Sequence, residues 1–229
     1  MAMAKVNAGQ CAVWISDVML PAEAAWAGNC KDGLADGQGR LVVSIEGQEV
    51  ASYSGVMVAG KYDGDGKLRQ VDGIALEGTW VGGVLQGQGS AVWPDGSRYE
   101  GQFADGKADG IGKFTNTKGG QYAGQWKNGL KQGNGRYKYA RGDVYDGEWI
   151  DDKINGIGIY IWFNGNRYEG QVAAGKPNGI GTFVWVDGDR YDGSWLNGKF
   201  HSAGKYRKAD GTVYEGRWEN GEWKGPVEP

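Results

Sequence analysis

Between Tyr145 and Trp162 the side chains alternate in character with a period of two. Tyr145, Gly147 and Trp149 fall on one side of an extended chain, and Asp146 and Glu148 fall on the other. After a short interruption, Gly156, Gly158, Tyr160 and Trp162 again oppose Ile157, Ile159 and Ile161. Successive strand side chains point to opposite faces, so the pattern predicts two strands joined by a tight turn. One face of that hairpin carries rings and bare glycines, the other polar and aliphatic groups. No helix longer than a turn or two is expected.

The pattern returns every 23 residues, opening at Tyr53, Leu76, Tyr99, Tyr122, Tyr145, Tyr168, Tyr191 and Tyr214. An earlier, irregular unit opens at Trp26, with four extra residues before Tyr53. This makes eight repeats and a truncated ninth over residues 26–225, with 1–25 as an N-terminal cap and 226–229 as a tail. A fixed period in this range signals units that complete one another's packing. Glycine inside a strand costs stability but admits close approach by a neighbour, here an aromatic ring. The structural rings are Tyr99, Phe103, Tyr122, Trp126, Tyr145, Trp149, Tyr168, Tyr191, Trp195, Tyr214 and Trp218. One hairpin could not bury them alone. The expected fold is all-β: an elongated single-layer antiparallel β-meander, a solenoid of hairpins, twisted and curved.

The spacing Y-x-G-x-W-x-x-G-x-x-x-G-x-G resembles the MORN repeat family, and the resemblance covers residues 26–225. Leu76 replaces Tyr, Met57 and Val172 replace Trp, Asp152 replaces the middle Gly, and Ser202 replaces a strand Gly. These departures weaken single units without changing the architecture. The resemblance implies scaffolding, self-association and lipid-surface binding.

Composition narrows the classes further. Glycine makes up 44 of 229 residues, beside 11 Trp and 12 Tyr. Disordered Gly-rich chains lack such aromatics, so this chain folds. No apolar run reaches the length that spans a membrane as a helix. Residues 1–25 lack the basic start and apolar centre of a secretion signal, and any leader is expected to have been removed ahead of them. A net charge of −3 disfavours nucleic-acid binding. The two cysteines, Cys11 and Cys30, are either a disulfide or two buried thiols. A bond there points to a periplasmic or secreted protein. The alternative is a cytoplasmic or membrane-peripheral one.

No catalytic constellation is evident, and neither a metal nor a cofactor is expected. His201 is the only histidine, expected in a loop. Asp63-Gly64-Asp65-Gly66 suggests a calcium loop, but Ile74 stands at position twelve where a Glu is needed. The face opposite the rings is the informative one. It carries Arg136 and Lys138, then Ile157, Ile159 and Ile161, then Ile180 and Val184, then Lys205 and Arg207. The five aliphatics are expected to form a contiguous patch flanked by basic groups, either a binding surface or a face neutralised by pairing with Asp146 and Glu148. The expected function is a non-enzymatic scaffold for a protein partner. The alternatives are a phospholipid surface bound through the basic and aliphatic face, or glycan or peptidoglycan stacking on exposed aromatic rows, which also suit proline-rich peptides. A homodimer contact is expected at Tyr214, Trp218 and Trp223.

Overall fold

The turn fixes each hairpin. At Asp105-Gly106, Asn128-Gly129, Asn197-Gly198 and Asn220-Gly221 both residues have positive φ, the two-residue turn whose twist suits antiparallel strands and which Asn, Asp and Gly adopt most readily. Asp152 keeps this conformation at φ 65° without being glycine. Its carboxylate accepts the Lys131 N–H at 3.0 Å and pairs with Lys131 Nζ at 3.1 Å, which offsets the backbone strain. Ser202 likewise holds φ 54°. The substituted repeats therefore keep their geometry.

The computed structural model describes residues 3–16 and 21–226. The described residues are all-β with no helix, a β-meander of hairpin repeats in two compact units, 1–117 and 118–229. The first unit holds β1 (Met3–Ala8), β2 (Cys11–Ser16), β3 (Glu23–Lys31), β4 (Leu34–Ile45), β5 (Gln48–Val58), β6 (Lys61–Gln70), β7 (Ala75–Val81), β8 (Val84–Val92), β9 (Arg98–Ala104) and β10 (Lys107–Thr115). From β3 to β10 each strand pairs antiparallel with the next. The second unit runs through β11 (Gln121–Lys127), β12 (Leu130–Lys138), β13 (Val144–Ile150), β14 (Lys153–Ile161), β15 (Arg167–Ala173), β16 (Lys176–Val184), β17 (Arg190–Leu196), β18 (Lys199–Arg207), β19 (Val213–Glu219) and β20 (Glu222–Gly225) in the same manner.

In the second unit glycines face glycines across every junction from Gly124↔Gly135 to Gly204↔Gly216. Beyond that line the register shifts, so one residue of the first strand opposes three of the second. Gln125 spans the bulge by accepting the Asn134 N–H at 2.8 Å, as Gln102 does for Ile111 at 2.6 Å and Gln171 for Ile180 at 2.7 Å. Repeats are also tied through their turns. The N–H of Gly175 donates to Ile154, that of Gly198 to Pro177 and that of Gly221 to Phe200, at 2.8–3.0 Å.

The hairpin β1–β2 meets the meander where β2 pairs parallel with β4 at Ala12↔Leu34. Its Ala12 N–H donates to Gly33 and its Trp14 N–H to Gly60, so β2 crosses the turns of two repeats. Val13 and Ile15 bury there. Cys11 and Cys30 form a disulfide with Cα atoms 5.6 Å apart, joining β2 to β3.

Candidate functional site

The aromatic face has two layers. The inner layer consists of first-strand rings over the glycine line, with Tyr122, Tyr145, Tyr168 and Tyr191 at most 1 % exposed. Each ring passes over the glycine two residues ahead, and its hydroxyl donates to the carbonyl three residues ahead: Tyr122 to Gln125 at 2.8 Å, Tyr145 to Glu148 at 3.1 Å, Tyr191 to Ser194 at 3.0 Å. The bulge frees that carbonyl for the bond. Trp26 stands in for Tyr in the first repeat, its indole N–H reaching Asn29 at 2.9 Å. The repeat tryptophans bind backward instead. Trp149 donates to Gly135, Trp195 to Gly181 and Trp218 to Gly204, at 2.9–3.0 Å. Tyrosine locks a repeat internally and tryptophan locks it to its predecessor. Phe103 and Trp126 are buried like the others, whereas Tyr214 is only half-buried. Burial pushes the hydroxyls of Tyr99, Tyr145, Tyr168 and Tyr191 up to about 12.

The outer layer lies along the second-strand ends. In the second unit Tyr137, Tyr139, Tyr160, Trp162, Phe183, Trp185 and Tyr206 are all half-buried. They form a continuous band. Tyr160 meets Trp162 at 4.5 Å between centroids, Trp162 meets Phe183 at 5.1 Å, Phe183 meets Trp185 at 4.4 Å and Trp185 meets Tyr206 at 5.5 Å. Tyr139, Trp162 and Trp185 each open a tight loop, their N–H bonded to Asp143, Asn166 and Asp189 carbonyls at 2.9 Å. The Asp143 and Asn166 side chains then reach forward one repeat to the N–H of Phe163 (2.9 Å) and Val186 (3.0 Å). Asp143 is fully buried. Burial works against its charge, but the Phe163 N–H, Arg141 at 2.5 Å and the Tyr160 hydroxyl at 3.2 Å hold its carboxyl below the usual range. Asp189 takes the Tyr206 hydroxyl and the Ala209 N–H and is lowered as well. The band thus rests on a rigid loop ladder. Sequence reasoning placed Trp162 on the ring face but did not single out Tyr139, Trp162 and Trp185 as a surface. Their recurrence two residues after each second-strand ring was the available signal.

The opposite face corrects an expectation. Ile157, Ile159 and Ile161 pair with Gln171, Glu169 and Arg167, and β15 therefore stands between them and Ile180, Thr182 and Val184 on β16. The aliphatics are divided by a polar strand because consecutive repeats alternate acidic first strands with aliphatic second ones. Arg136 pairs with Asp146 at 3.9 Å and Lys205 with Glu215 at 2.7 Å. Lys138 and Arg207 carry no ion pair among the described residues. A second correction concerns His201, which lies half-buried in β18 instead of a loop, because that strand runs unbroken from Lys199 to Arg207. Of the residues expected at a dimer contact, Trp218 is 6 % exposed and bonded inward, while Trp223 is 41 % exposed with its ring 5.5 Å from Tyr214. Among the described residues no group of three or more His, Cys, Asp or Glu converges on a metal position. Among the same residues no helix is long and apolar enough to cross a membrane.

The fold is similar to solved TCP domains, at low identity. One is the SAS-4 (dCPAP) TCP domain of Drosophila melanogaster in complex with a proline-rich motif of Ana2, 10 % identical over 66 % of this chain and 82 % of that one, with a TM-score of 0.42. Another is the TCP10 domain of Danio rerio CPAP, 12 % identical over 76 % and 87 %, with a TM-score of 0.33. No curated protein sequence matches the chain. The MORN repeat model matches residues 77–98, 99–121, 122–144, 145–167, 168–190, 191–213 and 214–226. The hairpins opening at Trp26 and Tyr53 lie upstream of that match and share its backbone plan. With most of its length accounted for by seven consecutive matches, the chain belongs to the MORN repeat family.

Proposed function

We propose that this chain is a non-enzymatic scaffold that binds a protein partner along the outer aromatic band of its second unit. The observation that carries the reading is that band: half-exposed rings in continuous contact, held by bonded loops and bordered by Phe163 (69 % exposed) and Val186 (70 % exposed). Contiguous apolar surface of this kind marks interaction sites, and aromatic anchors dominate such interfaces. The test is selection from a displayed library of random peptides. Wild-type protein is expected to enrich a peptide family that a Trp162→Ala/Trp185→Ala variant fails to retain. Enrichment equal on both proteins would place binding elsewhere and overturn the reading.

A second reading, contact with an anionic phospholipid surface, has one observation in its favour. Lys138, Ile161, Arg167, Val184, Arg190 and Arg207 share one row of the opposite face, and cross-strand partners bring no acid into it. Arg167 and Arg190 are engaged by Glu169 and Asp192 at 2.5 Å, which leaves Lys138 and Arg207 to contribute about 1 kcal/mol each at a charged membrane. Co-sedimentation with phosphatidylserine vesicles is expected at low salt and lost at high salt. No pelleting at low salt removes this reading.

The Cys11–Cys30 disulfide supports placing the protein in an oxidising compartment, periplasmic or extracellular. Peptide mapping of protein from its native source, without reductant, is expected to recover the two cysteines linked. A Cys11→Ser/Cys30→Ser variant should lose about 3 kcal/mol in urea unfolding. Free thiols in the native protein would contradict both the bond and the compartment.

A further inference from the structure

We infer that the aromatic band of the second unit receives a proline-rich segment in the polyproline II conformation, lying across the strands with three residues to each repeat. This rests on the scaffold reading above and names its partner's chemistry.

Two observations carry it. The first is period. Equivalent rings recur once per repeat, every two strands, so Tyr139, Trp162 and Trp185 are spaced by about 9.5 Å. A polyproline II helix advances about 9.3 Å per turn of three residues. One proline face can therefore meet one ring per repeat without accumulating mismatch over the band.

The second is the balance of hydrogen-bonding groups. The buried tryptophans Trp149, Trp195 and Trp218 all spend their indole N–H on glycine carbonyls. Trp162 and Trp185 are half-exposed, and neither indole N–H has a partner among the described residues. The band's carboxylates are already engaged: Asp143 by Arg141, Tyr160 and Phe163, and Asp189 by Tyr206 and Ala209. The surface thus offers donors and stacking planes but few free acceptors. Proline-rich backbone is its complement, since each proline has a carbonyl to accept with and no N–H to satisfy. A glycan, whose hydroxyls donate as well as accept, would leave donors unpaired against this surface. The polyproline II segment is also ordered before it binds, so little conformational entropy is lost on docking.

The test is titration of the full chain with decaproline, followed by tryptophan fluorescence, with chitohexaose and a glycine-serine decapeptide alongside. Saturable binding of decaproline alone is expected. Trp162→Ala or Trp185→Ala should weaken it about tenfold, and Trp162→Phe, which keeps a ring and removes the N–H, should weaken it by a smaller factor. Ile157→Ser on the opposite face should leave it unchanged, and circular dichroism confirms that each variant keeps its strands. If decaproline fails to bind while library peptides lacking proline are retained through Trp162 and Trp185, the polyproline inference falls and the scaffold reading survives. Binding of chitohexaose in place of decaproline also overturns the inference. If no peptide depends on those tryptophans, both fall.

Discussion

Replacing Gly158 with alanine is expected to lower stability by about 3 kcal/mol, read as a shift of the urea midpoint at constant slope. The glycine is not in the left-handed region, so backbone strain is not the cause. The cause is space. A methyl group there would overlap the Tyr145 ring and hydroxyl, and that ring is fully buried. Overfilling a packed site costs about 1–3 kcal/mol. Displacing the ring also strains the hydroxyl's 3.1 Å bond to the Glu148 carbonyl, worth roughly 1 kcal/mol more. Because neighbouring repeats bury one another's rings, the loss extends to the adjoining hairpins. An alanine at exposed Lys138 should change stability by less than about 0.5 kcal/mol.

The second large effect is alkaline unfolding. Burial raises the hydroxyls of Tyr99, Tyr145, Tyr168 and Tyr191 to about 12, from an ordinary value of 10.0; Tyr53 and Tyr122 move in the same direction. A group that holds its proton more tightly when folded stabilises the fold fully below its unfolded pKa. That stability drains as pH rises toward the folded value, because the unfolded chain ionises first. The protein is therefore expected to be insensitive to pH on approach to 10 and to unfold cooperatively between 10 and 12. Tyrosinate absorbance and loss of β-sheet circular dichroism should rise together. Tyrosinate forming near pH 10 at most of the twelve tyrosines with the sheet intact would show that these hydroxyls are not buried as described.

Much of this was legible in the chain. Alternation around Tyr145 and Trp149 and the 23-residue period were enough for the strands, their pairing and the ring face. The bulge was not legible, because the role of Gln102, Gln125 and Gln171 lies in a backbone irregularity that simple alternation conceals. Contact between the aliphatics of β14 and β16 was misjudged for a related reason. Residues sharing a face in the sequence pattern are separated in the sheet by the strand between them, and here that strand carries Arg167, Glu169 and Gln171. The outer band was half legible. Trp162 and Trp185 could be placed on the ring face, but whether an indole N–H is spent on a glycine carbonyl or left over depends on three-dimensional reach. The crossing of β2 over the Gly33 and Gly60 turns had no sequence signal beyond the departure of residues 1–25 from the repeat.

A double-mutant cycle between Tyr145→Ala and Gly158→Ala reads the contact between ring and bare backbone directly. Tyr145→Ala alone should cost about 3–5 kcal/mol. With the ring gone, the methyl at position 158 loses its tightest overlaps, so Gly158→Ala should then cost about 2 kcal/mol less than it does beside the ring, a coupling of roughly 2 kcal/mol. If the two losses instead add to within about 0.5 kcal/mol, the ring is not resting on that glycine and the packing account of the repeat is wrong.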